Sequence, residues 1–453
     1  MFERVQPPSS RPARPWSSRV MRSVAGGLVA LLAAGAVQAQ SLLEVYNAAR
    51  NYDATYLAAR AEAESAQYAA EQAYALRRPS VGLSAGISRS ETDPPVGNDR
   101  ETTTRQAALQ ATQPLFNRAN GVSIEQAERA LEIARARLET AEQDLIVRVA
   151  QAYFNVLAAR DTLASAQANK AAISEQLASA KRNFEVGTAT ITDTREAQAR
   201  FDLATAQEIA AQNNLEIAQA ALNQLVGRND VDPRPLAAPV SLPSLAAGTE
   251  QDWVQRSENA PGVRQAALAL QIAELETEKA RAGHLPTLDL VGEVGRSSVT
   301  SNNPQQPSGH YGSTSVGVQL RLPLFAGFAV QNRVRETLAL EEKSRNELDA
   351  ARRQVALATR QAYSSVQSGL AQVRALEAAE ASSKLALEAT QLGYKVGVRV
   401  NLDVLNAQTQ LFNTQSELAQ ARYNVLVGSL RLRQAAGVLA PDDLAPINAL
   451  LAP

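Results

Sequence analysis

Thr314-Ser-Val-Gly-Val-Gln-Leu-Arg-Leu322 alternates apolar with polar side chains, and Pro323 follows directly. Val316, Val318, Leu320 and Leu322 fall on one face; Ser315, Gly317, Gln319 and Arg321 fall on the other. Strict alternation is the mark of a strand with one apolar face. Three more stretches read the same way. Residues 286–297 set Leu288, Leu290 and Val294 against Thr287, Asp289 and Glu293. Residues 80–90 set Val81, Leu83, Ala85 and Ile87 against Gly82, Ser84 and Gly86. Residues 103–113 are weaker, with Ala107, Leu109 and Ala111 against Gln106, Ala108 and Gln110. Four strands of about ten residues match membrane-barrel strands in length and pattern. Two hairpins on a soluble domain would show the same alternation. If the strands lie in a bilayer, every lipid-facing backbone group must be paired, so an open four-stranded sheet cannot cross it. The smallest usual barrel has about 8 strands, so several copies must pool theirs. A trimer would supply twelve; the strand count alone does not fix the number.

Outward from the strands, the chain is one unit written twice. Gln113-Pro114-Leu115-Phe116 recurs as Leu322-Pro323-Leu324-Phe325 at a spacing of 209, and Ala150-Gln151-Ala152-Tyr153 as Arg360-Gln361-Ala362-Tyr363 at 210. Phe184-Glu185-Val186-Gly187 recurs as Tyr394-Lys395-Val396-Gly397, and Asp193 falls on Asp403, Gln198 on Gln408, Leu222 on Leu432 and Gly227 on Gly437, all at 210. A spacing held over so many residues marks two structural halves with one order of elements.

Each half reads helix, two strands, long helix, shorter helix. The first repeat, 40–230, carries a helix over 41–78, then strands 80–90 and 103–113, a long helix over 119–184 and a helix over 190–226. A linker follows at 231–251. The second repeat, 252–440, carries a helix over 252–282, strands 286–297 and 312–322, a long helix over 329–393 and a helix over 401–436, with a tail at 441–453. Pro79 and Pro286 stop helices, while Pro114 and Pro323 mark the ends of strands. A helix over 119–184 would run about 100 Å at the usual rise per residue. That length implies a coiled-coil-like array, in which small Ala side chains let neighbours approach and Glu, Gln, Arg and Lys keep one face wet.

Composition removes most chemistry. Of 453 residues, 45% are apolar and only 4% aromatic, with 45 basic against 46 acidic side chains, two His and no Cys. That apolar content is far too high for a disordered chain. The absence of Cys excludes disulfides, thiolate metal sites, a cysteine nucleophile and an acylated N-terminal Cys. His284 and His310 lie 26 residues apart in unlike settings, which does not make a metal pair. No phosphate-binding Gly-rich loop, Ser-His-Asp set or zinc-protease motif occurs, so neither an enzyme nor a cofactor is expected. The balanced charge leaves no footprint for nucleic acid. Residues 1–39 read as a signal peptide: Arg4, Arg11, Arg14, Arg19 and Arg22, an apolar run from Val24 to Val37, and small residues at Val37-Gln38-Ala39. The apolar run is short for a spanning helix. Its removal would bring the charge from −1 to −5. Met21 offers an alternative start.

With these features, the chain resembles the TolC family of outer-membrane efflux and secretion proteins over nearly its whole mature length. The resemblance rests on Gln151-Ala-Tyr-Phe-Asn-Val-Leu157, Phe184-Glu-Val-Gly187 with Ile191-Thr-Asp193, and Gly283-His-Leu-Pro-Thr-Leu-Asp-Leu290. Asn401-Leu-Asp-Val-Leu405 and Ala421-Arg-Tyr-Asn424 complete it. It implies a mixed α-barrel/β-barrel fold: a homotrimer with a twelve-stranded β-barrel in outer-membrane lipid and a long periplasmic helical tunnel. It further implies an exit duct working with a periplasmic adaptor (membrane fusion) protein and an inner-membrane transporter, either ABC-type or proton-driven. Type I secretion of polypeptides and efflux of small toxic compounds are both compatible cargoes. A soluble periplasmic coiled-coil adaptor or scaffold is the alternative.

The resemblance also supplies candidate residues. In the family a Tyr and an Arg near the second helical tip latch onto a Thr-Asp pair near the first; Tyr394, Arg399, Thr192 and Asp193 match these. Two acidic rings three residues apart narrow the family's channel. Asp403 matches the first, whereas the second position holds Asn406. A single ring of carboxylates is expected to favour cations but puts strong divalent block in doubt. Exposed ion pairs contribute about 0–1 kcal/mol each, weak enough for a partner to open.

Overall fold

The computed structural model describes residues 39–452 apart from 94, 96–98, 238–239, 241, 243–247 and 304–305. The expected signal peptide therefore lies, except for Ala39, outside the described residues. In chain order the elements are α1 (Leu42–Tyr52), α2 (Ala54–Ala73), β1 (Ser80–Thr92), β2 (Arg100–Phe116), α3 (Arg118–Glu185) and α4 (Ile191–Val226). The second half follows as α5 (Glu250–Ser257), α6 (Pro261–Ala282), β3 (Thr287–Ser301), β4 (Gly309–Arg321), α7 (Ala329–Lys395) and α8 (Asn401–Ala435), with α9 (Leu444–Asn448) near the end.

The first expected helix, 41–78, breaks in two. Neither Gly nor Pro causes it: Asp53 leaves helical geometry at ψ 115° and caps α2, its carboxylate accepting from the Tyr56 N–H at 2.8 Å. Arg148 on α3 holds the same carboxylate through two bonds of 2.9 Å. The helix expected over 252–282 breaks in the same place, where Pro261 takes the first turn of α6 and Ala260 precedes it. Asp53 and Ala260 are 207 residues apart, as are Pro79 and Pro286.

The strands run longer than the alternation predicts. Beyond it, Ser and Thr side chains still suit a pleated ladder, and Thr102 Oγ1 and Ser301 Oγ lie 2.8 Å apart across β2 and β3. At the other end β2 continues through Pro114, expected at the strand end. Pro114 opposes Asp289 and Phe116 opposes Leu288, leaving Leu115 as the extra residue of a bulge. A bulge is where a strand interior accepts Pro.

The main core is a belt at mid-height of the helices. Leu145, Ile146, Tyr153, Phe154 and Leu157 from the middle of α3 pack with Leu42, Tyr46, Leu222, Leu426 and Leu430. The described part of the expected linker is tied into this belt. Val231 is buried, the Tyr153 hydroxyl donates to the carbonyls of Gln40 and Arg234, and Arg160 donates to that of Pro233. The tail docks as well, through Leu444, Ile447 and Leu451. By contrast α7, 67 residues long, buries only Thr337, Leu348, Thr359, Val366 and Val373. Outside its contacts with α5, α6 and α8, much of its remaining surface is exposed, including Leu338, Leu340, Leu357, Leu385 and Leu392.

Candidate functional site

The four strands form one antiparallel sheet in the order β1-β2-β3-β4, so the two hairpins join through β2 and β3. The register sorts the side chains by face. Val81, Ala111, Gly292 and Val316 form one row across the sheet, and Leu83, Leu109, Val294 and Thr314 the next. On the opposite face the rows are Gly82, Gln110, Glu293 and Ser315, then Ser84, Ala108, Gly295 and Ser313, then Gly86, Gln106, Ser297 and Tyr311. One face is an apolar band and the other is polar. Both faces of β1 and β4 are exposed, and each strand leaves one edge unpaired. An apolar face with open edges is unstable in water and impossible in lipid without further strands. Leu115, Phe116, Leu322, Phe325 and Phe328 lie exposed at the end of the sheet next to the helices. Phe325 and Phe328 meet edge to face at 5.6 Å, as in the aromatic girdles that flank a barrel's apolar band.

At the far end of the long helices are two tips of one geometry. Gly187 and Gly397 both sit at φ 81°, the left-handed conformation that ends a helix. Thr188 N–H donates to Asn183 O at 2.8 Å, and Val398 N–H to Gly393 O at 2.9 Å. The next helices start differently. Thr190 caps α4 in a reciprocal box: Asp193 N–H donates to Thr190 Oγ1, and the Asp193 carboxylate accepts from Thr190 N–H at 2.9 Å and its hydroxyl at 2.7 Å. At the equivalent position α8 has Val400, which carries no capping oxygen. Asp403 is thereby left free of the cap and lies 3.6 Å from Arg399.

Each residue named from the sequence lies at these tips. Thr192 is exposed in the first turn of α4, beside Asp193. The Tyr394 hydroxyl accepts from Asn183 Nδ2 at 3.2 Å. Asn406 Oδ1 accepts from Arg200 Nη2 at 2.9 Å. Within one chain, the described contacts do not join Tyr394 or Arg399 to Thr192 or Asp193. Asn183, Arg200 and Gly393 were not singled out from the sequence. A Cβ on Gly393 would meet Arg399 Cγ at 2.8 Å, so this glycine makes the space in which the aliphatic base of the Arg399 side chain lies. The sequence carries no signal for the Arg200–Asn406 contact, since the repeat spacing of 210 sets Arg200 on Gln410.

Farther up, α3 and α8 are held by a partly buried polar contact. Tyr423 donates to Asp161 Oδ2 at 2.7 Å, and Phe154 stacks on the Tyr423 ring at 5.6 Å. Burial pushes the Asp161 carboxyl above its ordinary range, partly offset by the Tyr423 hydroxyl, and burial also raises the Tyr423 hydroxyl. Among the described residues no His, Cys, Asp and Glu group could hold a metal, and no helix is long and apolar enough to cross a membrane. The arrangement presents an apolar sheet face, a polar opposite face and two charged tips.

Comparison with known proteins agrees with this geometry. The family model described as "Outer membrane efflux protein" matches residues 45–228 and 254–438, one segment in each half. The chain is 33% identical to the outer membrane protein TolC of Vibrio cholerae, over 91% of this chain and 94% of that protein. It is also 33% identical to the alkaline protease secretion protein AprF of Pseudomonas aeruginosa, over 94% and 90% of the two chains. The crystal structure of the Campylobacter jejuni CmeC outer membrane channel superposes with a TM-score of 0.77 at 16% identity, covering 98% of both chains, and so shares the fold. The chain belongs to the outer membrane efflux protein family, the TolC family of outer-membrane efflux and secretion channels.

Proposed function

We propose that three copies of the chain close a twelve-stranded barrel in the outer membrane and continue it as a helical tunnel into the periplasm. The protein is an outer-membrane exit duct. The observation that carries this reading is the sheet: apolar on one face, polar on the other, with both edge strands unpaired. Edge pairing between copies satisfies the backbone and turns the polar face inward. The exposed part of α7 gives those copies something to pack against. Three is the number that membership of the TolC family implies.

In this reading the tips are the periplasmic gate. Thr192, Asp193, Tyr394 and Arg399 form the latch between helical hairpins, and Asp403 with Asn406 lines the constriction. A periplasmic adaptor and an inner-membrane transporter engage the tips and open them. Relatives named for protease secretion, AprF and PrtF, stand beside TolC and the efflux protein BepC, which supports two cargo classes, polypeptides and small toxic compounds. A deletion strain scored for both drug sensitivity and secreted protein tests the function and separates the cargoes. Loss of neither phenotype on deletion, with wild-type complementation as control, would refute an exit-duct role.

A further inference from the structure

The outer boundary of the apolar band is marked by arginine. The last apolar residues on the lipid-facing side are Ile87 on β1, Ala107 on β2, Val294 on β3 and Val316 on β4. Each lies one row lower than the one before it. This slant is what tilted barrel strands produce when the band runs level with the membrane. Two residues further along each strand, on the same face, come Arg89, Arg105, Arg296 and Thr314. Three guanidiniums therefore share one membrane level on three adjacent strands. They sit at the end away from the helices, which is the external side of an outer-membrane channel with a periplasmic helical portion.

Their charges are unevenly met. Arg89 pairs with Glu101 at 3.0 Å. Arg105 and Arg296 are exposed, and no acidic side chain among the described residues lies within ion-pair distance of either. Arg105 opposes Ile87 and Ser298, while Arg296 opposes Ala107 and Gly312. Both stand on inner strands of the sheet, flanked on each side by strands of the same chain, so a neighbouring copy's strand cannot lie next to them. The two are diagonal neighbours, about 7 Å apart at the backbone. Two like charges so placed, at the edge of an apolar surface, call for an anion from the membrane itself.

We propose that Arg105 and Arg296, with Arg89 beside them, bind the phosphate of a phosphorylated lipid headgroup in the external leaflet, one site per chain. Guanidinium suits this task, since its planar fork binds two phosphate oxygens at once. The acyl chains of the same lipid would lie along Ile87, Ala107 and Val294, directly below the arginines.

The test titrates the intact detergent-purified assembly with lipid A, a bis-phosphorylated glycolipid, and counts bound lipid by native mass spectrometry. Its dephosphorylated form, phosphatidylglycerol and inorganic phosphate are titrated alongside. The wild type is expected to bind lipid A about tenfold more tightly than the dephosphorylated form, and the double variant Arg105→Gln/Arg296→Gln to lose that difference. Arg353→Gln, on α7 far from the sheet, should retain it. Should the double Gln variant fail to assemble, the single variants Arg105→Gln and Arg296→Gln are each expected to lose part of the preference. Equal binding by wild type and variants, or no preference for the phosphorylated form, overturns the proposal. Phosphatidylglycerol bound as tightly as lipid A, or inorganic phosphate competing at equal concentration, overturns the assignment to a lipid of the external leaflet.

Discussion

Asp193 and Asp403 hold the same place in the two repeats but have different work. Thr190 draws Asp193 into a helix cap, whereas Val400 offers nothing, and Asp403 turns to Arg399. One hydroxyl thus separates a carboxylate held in a helix cap from one that faces Arg399 instead. Val400→Thr should rebuild the cap, stabilise the start of α8 by about 0.5–1 kcal/mol and reduce cation selectivity in planar bilayers. Asp403→Asn should reduce the same selectivity without the gain in stability, and unchanged selectivity in both variants would remove Asp403 from the constriction. Replacement of Arg399 by Gln is expected to raise conductance and antibiotic sensitivity. Gly393→Ala, which forces the Arg399 side chain to move, should do so to a lesser degree. If conductance rises in neither variant, Arg399 does not hold the gate.

At the scale of elements, the break at Asp53 shows what a linear reading misses. Residues 41–78 hold no Gly or Pro, and helix propensity alone runs straight through them. The break exists because Arg148, 95 residues away, and the Tyr56 N–H give the Asp53 carboxylate three bonds at once. Such a partner on another helix is invisible to local propensity, whereas Pro261 announces the matching break in the second half. The Arg148 bond holds the Asp53 carboxyl below its ordinary value, against the opposing effect of burial. A lowered folded value means that this stabilisation is complete above pH 3.8, the unperturbed value, and is lost as pH falls through the lowered one. Arg148→Gln should therefore cost about 1–2 kcal/mol at neutral pH, allowing for the half-exposed guanidinium, and move the acid-unfolding midpoint to higher pH. An unchanged acid midpoint by circular dichroism would separate the pair from the stability of the belt. The strands tell the opposite story. Their alternation in Val81 to Ile87 and Val316 to Leu322 was legible, because a face in lipid and a face in water impose a period of two directly on the chain.

For the whole molecule, the duplication was legible because its spacing drifts so little: it is 207 before the strands, 209 at their end and 210 along the helices beyond. The joining of the two hairpins through β2 and β3 was not, since either hairpin edge could have served. That pairing decides which residues meet lipid. The register puts Leu83, Leu109 and Val294 in one row of the outward face, and Ser84, Ala108 and Gly295 in the adjacent row of the inward face. Leu83 and Ser84 are neighbours in sequence and both are exposed in a single chain, so only assembly in a membrane can distinguish them. Leu83→Arg would put a guanidinium inside the apolar band, at a cost of about 2–4 kcal/mol per chain near the bilayer midplane. That cost recurs in every copy of a closed barrel. Ser84→Arg instead points the same charge into a water-filled lumen beside Gln106 and Gln110, where it should be tolerated and only shift ion selectivity. Membrane fractions run with and without heating read the result through heat-modifiable assemblies. The assembled species should fall sharply for Leu83→Arg and stay near wild type for Ser84→Arg. Equal yields for the two variants would mean that this sheet does not divide lipid from water, and the barrel itself would have to be abandoned.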